Sequence, residues 1–324
     1  MAEILPTDAR AEEPFLTSPR LHRLIEQART GAPVPTAVVH PADAVSLLGA
    51  TAAARANLIV PILVGPEAKI RAAAREARLD LSPFTLVPAE HSEAAAGVAV
   101  ALARAGKVGA LMKGALHTDE LMSAVLDSER GLRTARRVSH VFVIETPRYP
   151  RLLLITDAAV NVAPTLEEKR DIVQNAIDLA HVLGIERPRV AILSAVETVT
   201  PRIPSTLDAA ALCKMADRGQ ITGALLDGPL AFDNAVSAEA AATKGIVSQV
   251  AGKADIFVMP DLEAGNLLAK QLEYLAGAQL AGVVLGARVP IVLTSRADPP
   301  AARLASCAIA VLLTRGRAPV RAPL

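Results

Sequence analysis

The sequence has no tryptophan, few aromatic residues and only two cysteines. Aromatic residues make up 2% of the 324 positions, too few for a surface that stacks the bases of single-stranded nucleic acid. Cys213 and Cys307 lie far apart without metal-ligand spacing, so we interpret both as reduced core residues. The net charge is +1. Neither a nucleic acid nor a membrane surface is therefore indicated as a partner.

The chain also lacks segments that would carry it to or through a membrane. Its N-terminus has no basic region followed by an apolar stretch, so no signal peptide is predicted. Apolar runs such as Ala308–Leu313 are far shorter than the roughly 20 residues that span a bilayer. Hydrophobic residues make up 52% and charged residues 21%, enough for a large core with a solvated surface. We predict a soluble cytoplasmic protein.

Short apolar, β-branched runs alternate with alanine-rich helical patterns from Thr36 onwards. Eleven such runs predict an α/β protein with a parallel sheet and helices on both faces. The length favours two domains or one large α/β unit. Prolines predict a boundary near residues 146–150, and a return to the first domain near Val289 fits the spacing without being fixed by it. Residues 1–20 are predicted to form a loose arm and residues 317–324 a tail.

Several helix ends are predicted from capping signals. Thr165 and Glu168 form a capping box at the start of one helix, and Ser205 is predicted to begin the next. Asp298 followed by Pro299 is typical of an N-cap and a first helical residue.

Familiar catalytic motifs are missing from the sequence. It contains no G-x-G-x-x-G, G-x-x-x-x-G-K-[ST], H-E-x-x-H or G-x-S-x-G. These absences argue against NAD-dependent, ATP-hydrolysing, zinc-protease and lipase-like enzymes.

Four polar segments each follow an apolar run, where ligand sites collect in α/β folds. In Thr294–Asp298, backbone N–H groups at a helix start favour an anion, Arg296 adds a bidentate fork, and Ser295 can donate to an oxyanion. The alternative is a strand-to-helix turn with Asp298 as a cap and Arg296 in solvent. In Lys113–Asp119, Gly114 would let the backbone approach a ligand, and Lys113 and His117 could meet an anion or a proton. The alternative is a turn capped by Thr118 or Asp119.

Two further segments carry carboxylates and amides. Asp157 and Asn161 could bind a substrate or couple two domains, or they could be a satisfied turn pair. Gly265 and Asn266 could receive an anion or amide at a helix start, with Asp261 as the alternative cap. Asp227–Asp233 is a weaker candidate that turn chemistry explains well.

Taken in order, these segments resemble the phosphate acetyltransferase/phosphate butyryltransferase family. The similarity runs from about Arg55 to about Leu313 and is carried by Lys113–Thr118, Thr156–Asn161, Arg189–Ser194, Asp227–Asp233, Pro260–Asn266 and Val289–Arg296.

The resemblance implies a two-domain α/β/α sandwich, similar to isocitrate and isopropylmalate dehydrogenases, with the active site in the interdomain cleft. It supports a discontinuous first domain of residues 1–146 plus 289–324 and a second domain of residues 147–288. Homodimers are usual in the family. Acyl-CoA and phosphate would interconvert with acyl phosphate and coenzyme A, a substrate, and no tightly bound cofactor or metal is implied.

The resemblance also implies residue roles. Ser295 matches the serine that stabilises the transition state, and Arg296 the arginine that grips phosphate. Arg133, in the segment Gly131–Thr134, is a second candidate phosphate ligand. The acetyltransferase aspartate proposed as thiol base has no counterpart at its usual spacing, so Asp298, or Asp157 from elsewhere, is the hypothesised base.

Two questions stay open from the sequence. The acyl group is predicted to be acetyl, with butyryl as the alternative because Thr294–Asp298 and Asp227–Asp233 look more like that branch. Two other functions compete with acyl transfer. One is a metal- and NAD-dependent dehydrogenase of the same fold, for which Asp227, Asp233 and Asp261 are loose ligand candidates. The other is a non-catalytic acyl-CoA or phosphate-binding regulator.

Overall fold

The computed structural model describes residues 18–294 and 298–316. Within these two ranges, no helix combines the length and apolar character needed to cross a bilayer. The strands are β1 (Val34–Val39), β2 (Ile59–Gly65), β3 (Thr85–Pro88), β4 (Ala110–Lys113), β5 (Ser139–Glu145), β6 (Leu153–Thr156), β7 (Arg189–Leu193), β8 (Leu225–Leu230), β9 (Ile256–Val258), β10 (Gln279–Leu285) and β11 (Ile291–Val292). The helices are α1 (Pro19–Arg29), α2 (Ala44–Arg55), α3 (Glu67–Glu76), α4 (Ser92–Arg104), α5 (Thr118–Leu126), α6 (Leu166–Val182), α7 (Pro204–Asp217), α8 (Phe232–Val236), α9 (Ala238–Thr243), α10 (Leu262–Ala276) and α11 (Pro300–Gly316).

All eleven strands join one sheet in the order β3-β2-β1-β4-β11-β10-β5-β6-β9-β7-β8. The prediction of purely parallel pairing is wrong at the centre, because β10 runs antiparallel to both β11 and β5, and β5 runs antiparallel to β6. The connections explain this. Residues 146–152 and 286–290 contain no helix, and a short link reverses the chain, whereas a parallel crossover needs a dozen residues or more.

Helix ends follow local capping chemistry, with two corrections. The capping box of α6 is confirmed, since Glu168 N donates to Thr165 Oγ1 at 3.3 Å and Thr165 N to Glu168 Oε2 at 2.9 Å. Helix α7 begins at Pro204, ahead of Ser205, since proline is favoured in the first helical turn. The loose arm predicted for residues 1–20 is wrong at its end, because Ser18 caps α1 and Pro19 begins it.

The sheet carries one continuous apolar core on one face and two separate cores on the other. The continuous core packs strand residues such as Val141 and Val283 under α1, α2, α6, α7 and α11. On the opposite face, one core lies around Leu111 and Val284 and a second around Ile144 and Phe257. Side chains alternate between the faces of a strand, so β10 contributes to all three cores and β5 to two of them. The seam between the two smaller cores is where a site can open. The division into residues 1–146 plus 289–324 and residues 147–288 stays a prediction.

Candidate active site

A cavity of about 440 Å³ lies at the seam between the two smaller cores. Its walls come from the β4–α5 turn, β5, the loop after β6, the body of α10 and the segment after β11. Several of these elements reach it with the carboxyl ends of strands, as predicted for this fold class. Four predicted site residues line it, namely Lys113, His117, Asn266 and Asp298.

Two lysines from different elements make the cavity cationic. Lys113 ends β4 and is 7% exposed. Lys270 lies in the middle of α10, where its Nζ is 2.7 Å from Glu273 and 3.8 Å from Asp298. Burial acts to lower the pKa of Lys270, but the hydrogen bond and charge of Glu273, with Asp298 and Tyr274, raise it above its usual value. Lys270 therefore stays charged and is one site residue that sequence reasoning missed.

The β4–α5 turn is fixed by backbone contact with the end of β1. Gly114 N donates to Val39 O at 2.9 Å, and a Cβ on Gly114 would lie 2.4 Å from that oxygen. Glycine is thus required for packing against β1, and approach to a ligand stays a prediction. His117, not Thr118 or Asp119, caps α5, and its N–H donates to Glu120 at 2.8 Å.

Asp157 and Asn161 form a buried hydrogen-bonded pair behind the cavity. Asp157 accepts from the backbone N–H groups of His140, Ala159 and Val160 and from Asn161 Nδ2, at 2.6–3.1 Å. Asn161 Nδ2 also donates to Val138 O at 2.9 Å. The side chains are 4% and 3% exposed. These bonds support the satisfied-turn alternative, and substrate contact by either residue stays a prediction.

The start of α10 also has structural partners. Asp261 caps the helix by accepting from Ala264 N at 2.8 Å. A Cβ on Gly265 would lie 2.6 Å from Asp157 O, so glycine lets the helix approach that loop. Asn266 Nδ2 donates to Ala158 O at 3.1 Å while its side chain borders the cavity. Within residues 18–294 and 298–316, no three His, Cys, Asp or Glu side chains are grouped as a metal site requires.

The described residues that flank the Ser-Arg pair follow the strand β11. Thr294 lines the cavity and accepts from Arg303 Nη1, in α11, at 3.0 Å. Ser295 and Arg296 lie outside the described residues. Helix α11 begins at Pro300, so the assignment of Pro299 as its first residue is wrong and Asp298 lies one residue before the cap position. Arg133 is exposed and does not border the cavity, and its role stays a prediction.

His140 is the second residue that sequence reasoning missed. It lies on β5 within an apolar run, is 1% exposed, and borders the cavity. Burial lowers the pKa of its imidazole from 6.5 to about 4, against the opposing effect of the Asp157 carboxylate. The ring is therefore neutral near pH 7.

Replacing Asp157 with alanine should destabilise the fold strongly. Four N–H donors would lose their acceptor, and each buried unsatisfied donor costs about 1–3 kcal/mol. We expect Asp157→Ala to lower the free energy of unfolding by at least about 3 kcal/mol in urea titrations. Asp261→Ala is the matched control, since it removes one cap and should cost about 1 kcal/mol. Equal losses for the two variants would contradict this account of Asp157.

Comparison with known proteins groups this chain with acyl-transferring enzymes. Residues 92–311 match the family model described as phosphate acetyl/butaryl transferase. The phosphate acetyltransferase of Rhizobium meliloti is 63% identical over 295 residues, which cover 91% of this chain and 93% of that protein. The phosphate butyryltransferase of Clostridium acetobutylicum is 47% identical over 252 residues, covering 78% of this chain and 84% of that protein.

Solved structures agree with these relatives. A branched-chain phosphotransacylase from Enterococcus faecalis V583 superposes with a TM-score of 0.75 at 31% identity, covering 86% of this chain and 99% of that one. A 4-hydroxythreonine-4-phosphate dehydrogenase from Klebsiella pneumoniae gives a TM-score of 0.51 at 12% identity, covering 87% and 99%. The second likeness concerns the fold alone. The predicted dehydrogenase-like α/β fold is confirmed.

Proposed function

Because the chain belongs to the phosphate acetyltransferase/phosphate butyryltransferase family and is an acyltransferase, we propose that it interconverts acetyl-CoA and phosphate with acetyl phosphate and coenzyme A. The observation that carries this proposal is the pair of lysines, Lys113 and Lys270, on one cavity at the end of β11. Both substrate pairs carry phosphate groups, and a partly buried site with fixed cations favours them over uncharged acyl donors.

The chemistry we propose is direct attack by the coenzyme A thiolate on the carbonyl carbon of acetyl phosphate. A sulfur–carbon bond forms and the bond from the carbonyl carbon to the phosphate oxygen breaks, so phosphate leaves with that bonding pair. Ser295 donates a hydrogen bond to the developing oxyanion. Arg296, Lys113 and Lys270 hold the leaving phosphate. No covalent enzyme intermediate and no bound cofactor takes part.

The thiol needs a base, because the thiolate is the nucleophile. Asp298 borders the cavity, whereas Asp157 lies behind it and accepts four hydrogen bonds. We therefore assign the thiol proton to the Asp298 carboxylate, from which it passes to the leaving phosphate or to water.

Butyryl is the second candidate acyl group. Relatives of both specificities match the chain, and apolar side chains of Leu116, Phe142 and Leu293 border the cavity. The acetyl assignment rests on the higher identity to the relative named phosphate acetyltransferase, 63% against 47% for the one named phosphate butyryltransferase. We also propose a cytoplasmic homodimer with only small-molecule substrates.

A panel of acetyl-, propionyl-, butyryl- and isobutyryl-CoA with phosphate tests this function. We expect the highest kcat/KM with acetyl-CoA, and a higher value with butyryl-CoA would transfer the assignment to the second candidate. Coenzyme A should raise the melting temperature and NAD should not, because a ligand of the native state stabilises it. Stabilisation by NAD would favour a dehydrogenase, and binding of coenzyme A without turnover would favour a regulator.

Lys270→Met should weaken phosphate binding. Loss of one partly buried cation should raise the KM for phosphate by about tenfold, with a smaller change in the KM for acetyl-CoA. Lys214→Met is the matched control, because Lys214 also forms an ion pair with a residue three positions ahead, Asp217, at 2.7 Å, but lies in α7 away from the cavity. Parallel changes in both variants would contradict a phosphate contact by Lys270.

A further inference from the structure

The imidazole of His140 has a buried ring nitrogen with no hydrogen-bond partner. Its Nδ1 is shielded from solvent and has no acceptor or donor in the part of the chain that the structure describes. Most buried polar side-chain atoms in folded proteins are paired, and an unpaired one costs stability. A leucine would fill similar space without that cost. The Nδ1 of His140 therefore keeps a hydrogen-bonding capacity that the described residues leave unused.

The backbone of His140 is held by hydrogen bonds, and its ring is held by packing at the edge of the cavity. His140 N donates to Asp157 Oδ2 at 3.1 Å, and His140 O accepts from Thr156 Oγ1 at 2.8 Å. The Phe142 ring packs edge-on, with a centroid separation of 4.4 Å. A Cβ on Gly282, on the adjacent strand, would lie 2.9 Å from His140 Nε2. Glycine there leaves the space that the imidazole occupies.

The charge of the ring limits what it can bind. Burial keeps the imidazole neutral near pH 7, since it lowers the pKa to about 4. A neutral imidazole has one N–H donor and one acceptor nitrogen. Lys113 and Lys270 already supply positive charge for phosphate groups. A neutral donor suits an uncharged carbonyl oxygen, the kind of group that neutral imidazole polarises in other enzymes.

We propose that His140 is a further catalytic residue, which donates a hydrogen bond from Nδ1 to the carbonyl oxygen of the reacting acyl group. The inference rests on the proposed acyl transfer. As sulfur attacks and phosphate leaves, negative charge grows on that oxygen, and a fixed donor stabilises it. His140 keeps its proton throughout, so the thiol proton still passes to Asp298.

The test compares His140→Leu with His140→Asn. Asparagine places an N–H donor at the same δ position as Nδ1, whereas leucine fills the space without a donor. We expect kcat to fall about 10²-fold in His140→Leu and less than about tenfold in His140→Asn, with the KM for each substrate nearly unchanged. His22→Leu, on an exposed face of α1, is the control and should keep wild-type kcat.

A kcat within about threefold of wild type in His140→Leu, or equal losses in both variants, would overturn the proposal. An infrared measurement covers the case in which His140→Leu fails to fold. The carbonyl stretch of 13C-labelled acetyl-CoA should lie at lower frequency when bound to wild type or His140→Asn than in water. An unshifted band in wild type would overturn the proposal. If the wild-type protein showed no acyl transfer activity, that result would instead overturn the proposed function.

Discussion

Ser295→Ala should lower kcat by about 10³-fold while leaving the KM for acetyl-CoA nearly unchanged. The hydroxyl is proposed to act on the oxyanion, which exists in the transition state and not in the bound substrate. Loss of such an interaction appears in kcat. Steady-state kinetics with saturating phosphate measure the effect. Ser82→Ala, in an exposed turn beside Asp80, is the matched control and should leave kcat unchanged.

Arg296 should show a different pattern from its neighbour. Arg296→Gln removes a charge and a two-point contact, so the KM for phosphate should rise as kcat falls. Arg296→Lys keeps the charge alone and should recover only part of the loss.

A Ser295→Ala enzyme that keeps kcat within about threefold of wild type would remove the pair from the reaction centre.

Asp298→Asn should slow the reaction by about 10³-fold near pH 7, because the thiol loses its proton acceptor. The deficit should shrink as pH rises. Free thiols ionise near pH 8.5, so solution thiolate replaces the missing base and the rate should climb about tenfold per pH unit below that value.

Glu263→Gln is the matched control for Asp298→Asn. It also neutralises a carboxylate, in the first turn of α10, but it does not border the cavity, so its pH profile should follow wild type. A profile of Asp298→Asn that parallels wild type at every pH would show that Asp298 is not the thiol base.

The strands were predictable because each carries a local signal. β-Branched apolar runs bounded by turn residues gave all eleven strands within a few residues. The direction of each strand was harder to predict from the sequence, because it depends on whether the connection to the next strand contains a helix. Helix α2 carries a weaker local signal than the strands. Its sequence, Ala44–Arg55, is almost uniformly small and apolar, so no polar stripe marks its exposed face.

The site residues also divide into those with a local sequence signal and those that only the packing of the fold brings to the cavity. Lys113, His117 and Asn266 were predictable because they lie at the end of a strand or near the start of a helix, where sites collect in this fold class. Lys270 sits mid-helix, a position typical of a solvated face, and only the packing of α10 brings it to the cavity. From the sequence, His140 would be assigned to the core, because it lies between Ser139 and Val141 in a mainly apolar strand. The catalytic role proposed for His140 depends on its unpaired Nδ1, which the sequence cannot reveal.

We propose that this chain transfers an acyl group from coenzyme A to phosphate. The direct measurement is release of coenzyme A thiol from acetyl-CoA by purified enzyme, with and without phosphate, beside quantification of acetyl phosphate. We predict thiol release only with phosphate, with one acetyl phosphate formed for each thiol and the rate lost in Ser295→Ala. Thiol release that needs no phosphate, or none from any acyl-CoA, would contradict the account.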